Sequence, residues 1–154
     1  MTRHLAALTL AAVAAAALPA GAAAATPKAG TYTDDALTKA KPSAVNISVY
    51  DAKTISAIGI AWNCKGSSVV DRTTTLVEDP DLSDAVKVEN GAFAVTRKAR
   101  TTIGDPFDPA DRTEATAKVA LRGRFVSKTK ATGTVSIAMP GCSSGKLAFV
   151  AKLT

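Results

Sequence analysis

The side chains able to do chemistry fall into two runs of carboxylates, one pair of cysteines and a stripe of lysines and arginines. Glu78-Asp79-Pro80-Asp81 with Asp84, and Asp105, Asp108 and Asp111 further on, bring oxygen donors close together along the chain. Paired carboxyls hydrolyse a glycosidic bond when they face each other across a sugar, and bunched oxygen ligands suit calcium. Neither run has the D-x-[DN]-x-[DN]-G order of a calcium loop, and Asp beside Pro is ordinary turn composition. The runs therefore read as solvated turns. Asp105, Asp108 and Asp111 stand as the calcium candidates, and a carboxylate-based hydrolase is the third functional class behind the two developed below.

The basic residues are more ordered. Lys118, Arg122, Arg124, Lys128 and Lys130 share one parity, opposite to Val119, Leu121 and Phe125. On a strand, successive side chains point to opposite faces, so the first three project from the solvent side and the last two carry the stripe into a turn. Arg97, Lys98 and Arg100 form a second cluster. Such a surface suits anionic polymers of a cell wall or extracellular space, bound through charge and without specific nucleic-acid readout. The plain alternative is that charges on an exposed strand keep it soluble and discourage edge pairing.

Other chemistry is excluded by what the exported chain lacks. Thr2-Arg3-His4, the uncharged run Leu5 to Leu18, Pro19, Gly21 and the small residues Ala22 to Ala25 follow the order of a secretory signal peptide. Residues 1–25 are read as leader, cut after Ala25 with Ala22 and Ala24 as alternative positions, and residues 26–154 as one secreted domain with no membrane span. The only histidine, His4, leaves with the leader. Histidine-dependent triads and imidazole-based zinc sites go with it. No phosphate- or dinucleotide-binding glycine loop is present, and no cofactor is implied. Removing Arg3 with the leader leaves 18 basic against 13 acidic side chains, a net charge of +5.

An even number of cysteines in an oxidising compartment favours a bridge, here Cys64 to Cys142. The elements that would carry these groups read as strands. Val45, Ile47 and Val49 alternate with Asn46, Ser48 and Tyr50, and after a turn at Asp51-Ala52-Lys53 the residues Ile58, Ile60, Trp62 and Cys64 share one parity. The same parity puts Trp62 in the core rather than on a sugar-binding platform. Asn90-Gly91, between Val86–Glu89 and Ala92–Val95, predicts a tight hairpin with a type I′ turn. Ala115, Ala117, Val119, Leu121, Gly123 and Phe125 face inward on a long strand, a turn is expected at Lys130-Ala131-Thr132-Gly133, and Leu147, Phe149, Ala151 and Leu153 line a last strand. Cys142 is placed in the turn Gly141–Gly145. Short strands at spacings near ten residues predict an all-β, single-domain antiparallel β-sandwich, with a small closed β-barrel as the alternative.

Gly30-Thr31-Tyr32, the strand ending at Cys64, Asn90-Gly91-Ala92-Phe93, Gly123-Arg124-Phe125, Ala131-Thr132-Gly133-Thr134 and Gly141-Cys142-Ser143-Ser144-Gly145 together resemble the uncharacterised secreted all-β proteins of high-GC Gram-positive bacteria. The resemblance spans most of the exported chain and implies a shared scaffold and disulfide, with no activity attached. Phe149 stands where those relatives often carry Trp, and Asp34 where Gly is common. The function expected is therefore a secreted, non-enzymatic domain that binds anionic polymers through a basic face. The alternative is a barrel carrying an apolar ligand.

Overall fold

Strands follow wherever β-branched and aromatic side chains alternate with polar ones, because each pleat can then bury one face and wet the other. The computed structural model describes residues 24–34, 43–67, 71–78, 81–104 and 109–154; the leader up to residue 23, Asp79, Asp105 and Asp108 lie outside them. The strands are β1 (Gly30–Thr33), β2 (Ser43–Asp51), β3 (Thr54–Trp62), β4 (Arg72–Glu78), β5 (Val86–Lys87), β6 (Ala92–Ile103), β7 (Thr113–Ser127), β8 (Lys130–Met139) and β9 (Cys142–Leu153). Every pairing is antiparallel, in the order β2-β1-β9-β8-β7-β6-β4-β3, with β5 added to β3.

Two stacked sheets, the first expectation from strand spacing, are not what this pairing forms; the closed barrel fits. The reason is β2, which pairs with β1 along one edge and with β3 along the other, so the sheet closes on itself and eight strands form a ring. Val45, Ile47, Ile55, Ile58, Trp62, Leu121 and Phe125 point inward and expose 0% of their surface, which leaves no water-sized void beside them. Tyr32, Phe125 and Phe93 make successive ring contacts, at 5.2 and 5.4 Å between centroids. The buried hydroxyls of Thr74 and Thr101 are paired. The Trp62 indole N–H donates to Thr74 Oγ1 at 2.9 Å, and Thr74 and Thr101 share a hydroxyl bond of 2.7 Å.

The two ends of the barrel are closed differently. At one end Cys64 and Cys142 are bonded, with Cα atoms 5.3 Å apart, and the Lys65 N–H donates to Ser143 O at 2.7 Å. Cys142 opens β9 rather than lying in the preceding turn, which falls at Pro140-Gly141. At the other end residues 24–28 run across the barrel mouth as a strap. The Ala25 N–H donates to Phe125 O at 2.8 Å and the Lys28 N–H to Lys128 O at 3.1 Å. The Tyr32 hydroxyl lies 2.6 Å from Lys128 O and 2.9 Å from Lys28 O. Burial raises the Tyr32 phenol above its ordinary value of 10.0. Its contribution to stability is therefore complete below pH 10 and declines as pH rises past it, because the unfolded chain loses that proton first.

Ala24 and Ala25, which the sequence reading assigns to the leader, are part of this strap. A chain beginning at Thr26 loses the Ala25 donor and leaves the Phe125 carbonyl without that partner, a cost of about 1 kcal/mol. It is expected to melt about 3 °C below a chain beginning at Ala24. Calorimetry of the two chains checks this, and equal melting temperatures would contradict it.

Two further expectations shift. The Asn90-Gly91 turn forms, with φ of 50° and 71°, and Glu89 pairs with Ala92. The arms above it then part, because Val86 and Lys87 pair with Ile55 and Thr54 of β3 instead of with β6. The turn expected at Lys130–Gly133 falls at Lys128-Thr129, and those four residues join β8. Gly133 there faces Gly123 across the ladder, and the missing Cβ atoms make room for the rings of Phe149 and Phe93.

Candidate functional site

Side-chain parity and register together decide which cations meet. Lys118, Arg122 and Arg124 lie on the outer side of β7, opposite to the buried Val119, Leu121 and Phe125. Lys118 and Arg122 are exposed and Arg124 is half-buried. Lys98 on β6 stands directly opposite Lys118. Arg100 follows on the same face and lies 4.0 Å from Glu114. Lys130 on β8 stands directly opposite Lys152 on β9, beside the turn that carries Lys128. The strap adds Lys28 at this corner through its backbone bond to Lys128.

Arg97 does not join them. It has the inward parity of Val95 and Ala99, and its guanidinium spans the parted hairpin to Asp84, with Nη1 2.9 Å from Oδ2 and Nη2 donating to the Asp84 carbonyl at 3.3 Å. Arg97 is a latch between β6 and the segment before β5, and only its place in the sequence sets it with Lys98 and Arg100. Lys28, Lys146 and Lys152 were missed. The outward parity of Lys146 and Lys152 is visible beside Leu147, Ala151 and Leu153, but their neighbours become known only through the β8–β9 register.

Charge is segregated around the ring. Residues 92–104 and 113–154, which form β6 to β9, carry ten basic side chains and one acid, Glu114. Residues 43–91 carry four basic side chains and seven acids. Like charges placed directly opposite each other destabilise a sheet. Lys98 with Lys118 and Lys130 with Lys152 are two such pairs on one face, and no ion pair among the described residues involves any of these four lysines.

The carboxylates do not assemble in this way. Asp84 is engaged by Arg97, and Asp111 closes a short 3-10 turn, Pro109–Asp111, where its carbonyl packs against Gly104. Among the described residues no three His, Cys, Asp or Glu side chains are grouped to hold a metal. Tyr50 is exposed on the opposite side of the barrel, on β2, and Asn46 of the Asn46-Ile47-Ser48 triplet is also exposed there. A groove of about 830 Å³ follows the parted hairpin, with Val86, Lys87, Phe93, Ala94 and Arg97 along its walls. No helix among the described residues is long and apolar enough to cross a membrane.

No protein-family model matches the chain, and no match is found among curated proteins or solved structures.

Proposed function

We propose that this chain is a secreted, non-enzymatic β-barrel domain that binds anionic cell-wall or extracellular polymers through the outer face of β6 to β9. The observation that carries the reading is the pair of lysine oppositions, Lys98 with Lys118 and Lys130 with Lys152. A face evolved for solubility alone gains from mixing signs, as residues 43–91 do. A face that holds directly opposed lysines gives up stability, and an arriving polyanion relieves that repulsion. The leader-like amino-terminal residues and a disulfide, which persists in oxidising compartments, support export.

Carriage of an apolar ligand has less support. The barrel is closed as that reading requires, but the inward side chains named above fill its interior. Hydrolysis by carboxylates has less still, because the described acids are dispersed or engaged by Arg97.

Retention on immobilised heparin, used as a general polyanion, tests the reading. The exported chain is expected to bind at low salt and to elute as salt rises, because binding releases counterions and that release is less favourable at high salt. Equal retention on heparin and on a neutral matrix would overturn the proposal.

A further inference from the structure

The basic face has a dip beside Lys118, toward the disulfide end of β8 and β9. It holds about 320 Å³, and its floor is built from small side chains. Thr96, Ala120 and Ser136 stand side by side across β6, β7 and β8, and Ala138 and Ser143 continue the floor in the next row. A bulge in β9 shapes one wall. Ile137 pairs with Gly145 and Ala138 with Ser143, so Ser144 is the extra residue. Its side chain turns inward and accepts the Ile137 N–H at 2.9 Å, standing in for a ladder partner. Gly145, at φ 68°, carries the backbone through the bend. Bulges commonly re-aim a strand beside a site. Ser143 Oγ accepts the Gly145 N–H at 3.1 Å, which keeps the hydroxyl hydrogen for another partner.

The cations flank this floor. Lys118 and Arg122 lie two residues to either side of Ala120 on the same face of β7, so their Cα atoms are roughly 14 Å apart at about 3.4 Å per residue. A ring resting on Ala120 therefore has a cation beyond each edge. No aromatic side chain points outward from β6 to β9. Binding of single-stranded nucleic acid relies on such rings for base stacking, so this face does not favour it.

We propose that the dip is a subsite for one sugar ring of an acidic saccharide. The C–H face of the ring rests on Ala120 and Ala138, its hydroxyls meet Thr96, Ser136 and Ser143, and its carboxylate or phosphate substituents reach Lys118 and Arg122. This rests on the polyanion reading and narrows it to polymers that carry rings. A ringless polyanion engages the lysines and leaves the floor unused.

The test compares the exported wild-type chain with Ala120→Leu and, separately, Ala138→Leu. Both positions face outward, and circular dichroism with melting curves confirms that each variant folds. The probes are oligogalacturonate, a phosphate-bearing mannan oligomer and linear polyphosphate, which has no ring. At least one acidic saccharide is expected to bind, to lose about tenfold in affinity in each variant, and to do so while polyphosphate binding changes less than about twofold. Equal changes for saccharide and polyphosphate, or no change for any saccharide, would overturn the subsite. Polyphosphate binding without saccharide binding would overturn the subsite alone. If no probe binds the wild-type chain, the polyanion reading falls and the subsite with it.

Discussion

A chain with Cys64 and Cys142 both replaced by serine is expected to lose about 2 to 4.5 kcal/mol of unfolding free energy. The upper figure is the chain-entropy value for a crosslink between residues 78 apart in sequence. It applies because the loss acts mainly on the denatured ensemble, which is freed from a long closed loop. The folded barrel has its own reasons to feel the change. Cys64 leaves the end of β3 and Cys142 begins β9, and two strands, β2 and β1, separate them around the ring. At this end the Lys65–Ser143 backbone bond would remain to join the two segments. Urea unfolding of the oxidised chain and of the double variant checks the figure, and a difference below about 1 kcal/mol would contradict it.

Replacing Gly133 by alanine is expected to cost about 3 kcal/mol, at the upper end of ordinary overpacking. A Cβ there would lie 2.2 Å from Arg122 O and 2.6 Å from the Phe149 ring. The carbonyl belongs to the β7 backbone and Phe149 is buried at 1% exposure, so neither can give way cheaply. Gly123→Ala meets the Phe93 ring first, with no backbone atom as near, and is expected to cost less. Gly59→Ala serves as the control, because nothing lies within 4 Å of its added Cβ, and it is expected to be neutral or slightly stabilising. Denaturation midpoints should rank Gly59→Ala above Gly123→Ala and Gly123→Ala above Gly133→Ala; a Gly133→Ala midpoint equal to wild type would contradict the packing account.

Strands with apolar alternation were legible from residues alone. Val45, Ile47 and Val49, then Ile58, Ile60 and Trp62, then Val119, Leu121 and Phe125 all face the core as their parity requires. Other strands were hidden for physical reasons. In β4 the inward residue Thr74 is polar, which breaks the pattern, and its burial makes sense only once Trp62 and Thr101 are beside it. Tyr32 in the short β1 is stabilised by carbonyls at Lys28 and Lys128, the second of them distant in sequence. Gly133 reads as a turn signal until Phe149 is seen to need its space. Ring closure depends on which edges β2 meets, and strand spacing carries no information about that.

The basic site was partly legible in the same sense. Parity alone placed Lys118 and Arg122 outward, and it would also have set Arg97 apart from Lys98 and Arg100. The oppositions of Lys98 with Lys118 and of Lys130 with Lys152 arise from register between strands. No periodicity within one strand reveals them, and they are the feature on which the functional reading stands.

Lys118→Glu, measured for stability and for heparin binding together, tests that reading most directly. The substitution turns a repulsive cross-strand pair with Lys98 into an attractive one, so the unfolding free energy is expected to rise by up to about 1 kcal/mol. Heparin affinity at about 0.1 M salt is expected to fall at least about fivefold, the equivalent of roughly 1 kcal/mol. Opposite movements of stability and affinity are the predicted result. A variant that binds heparin as tightly as wild type, whatever its stability, would contradict the account.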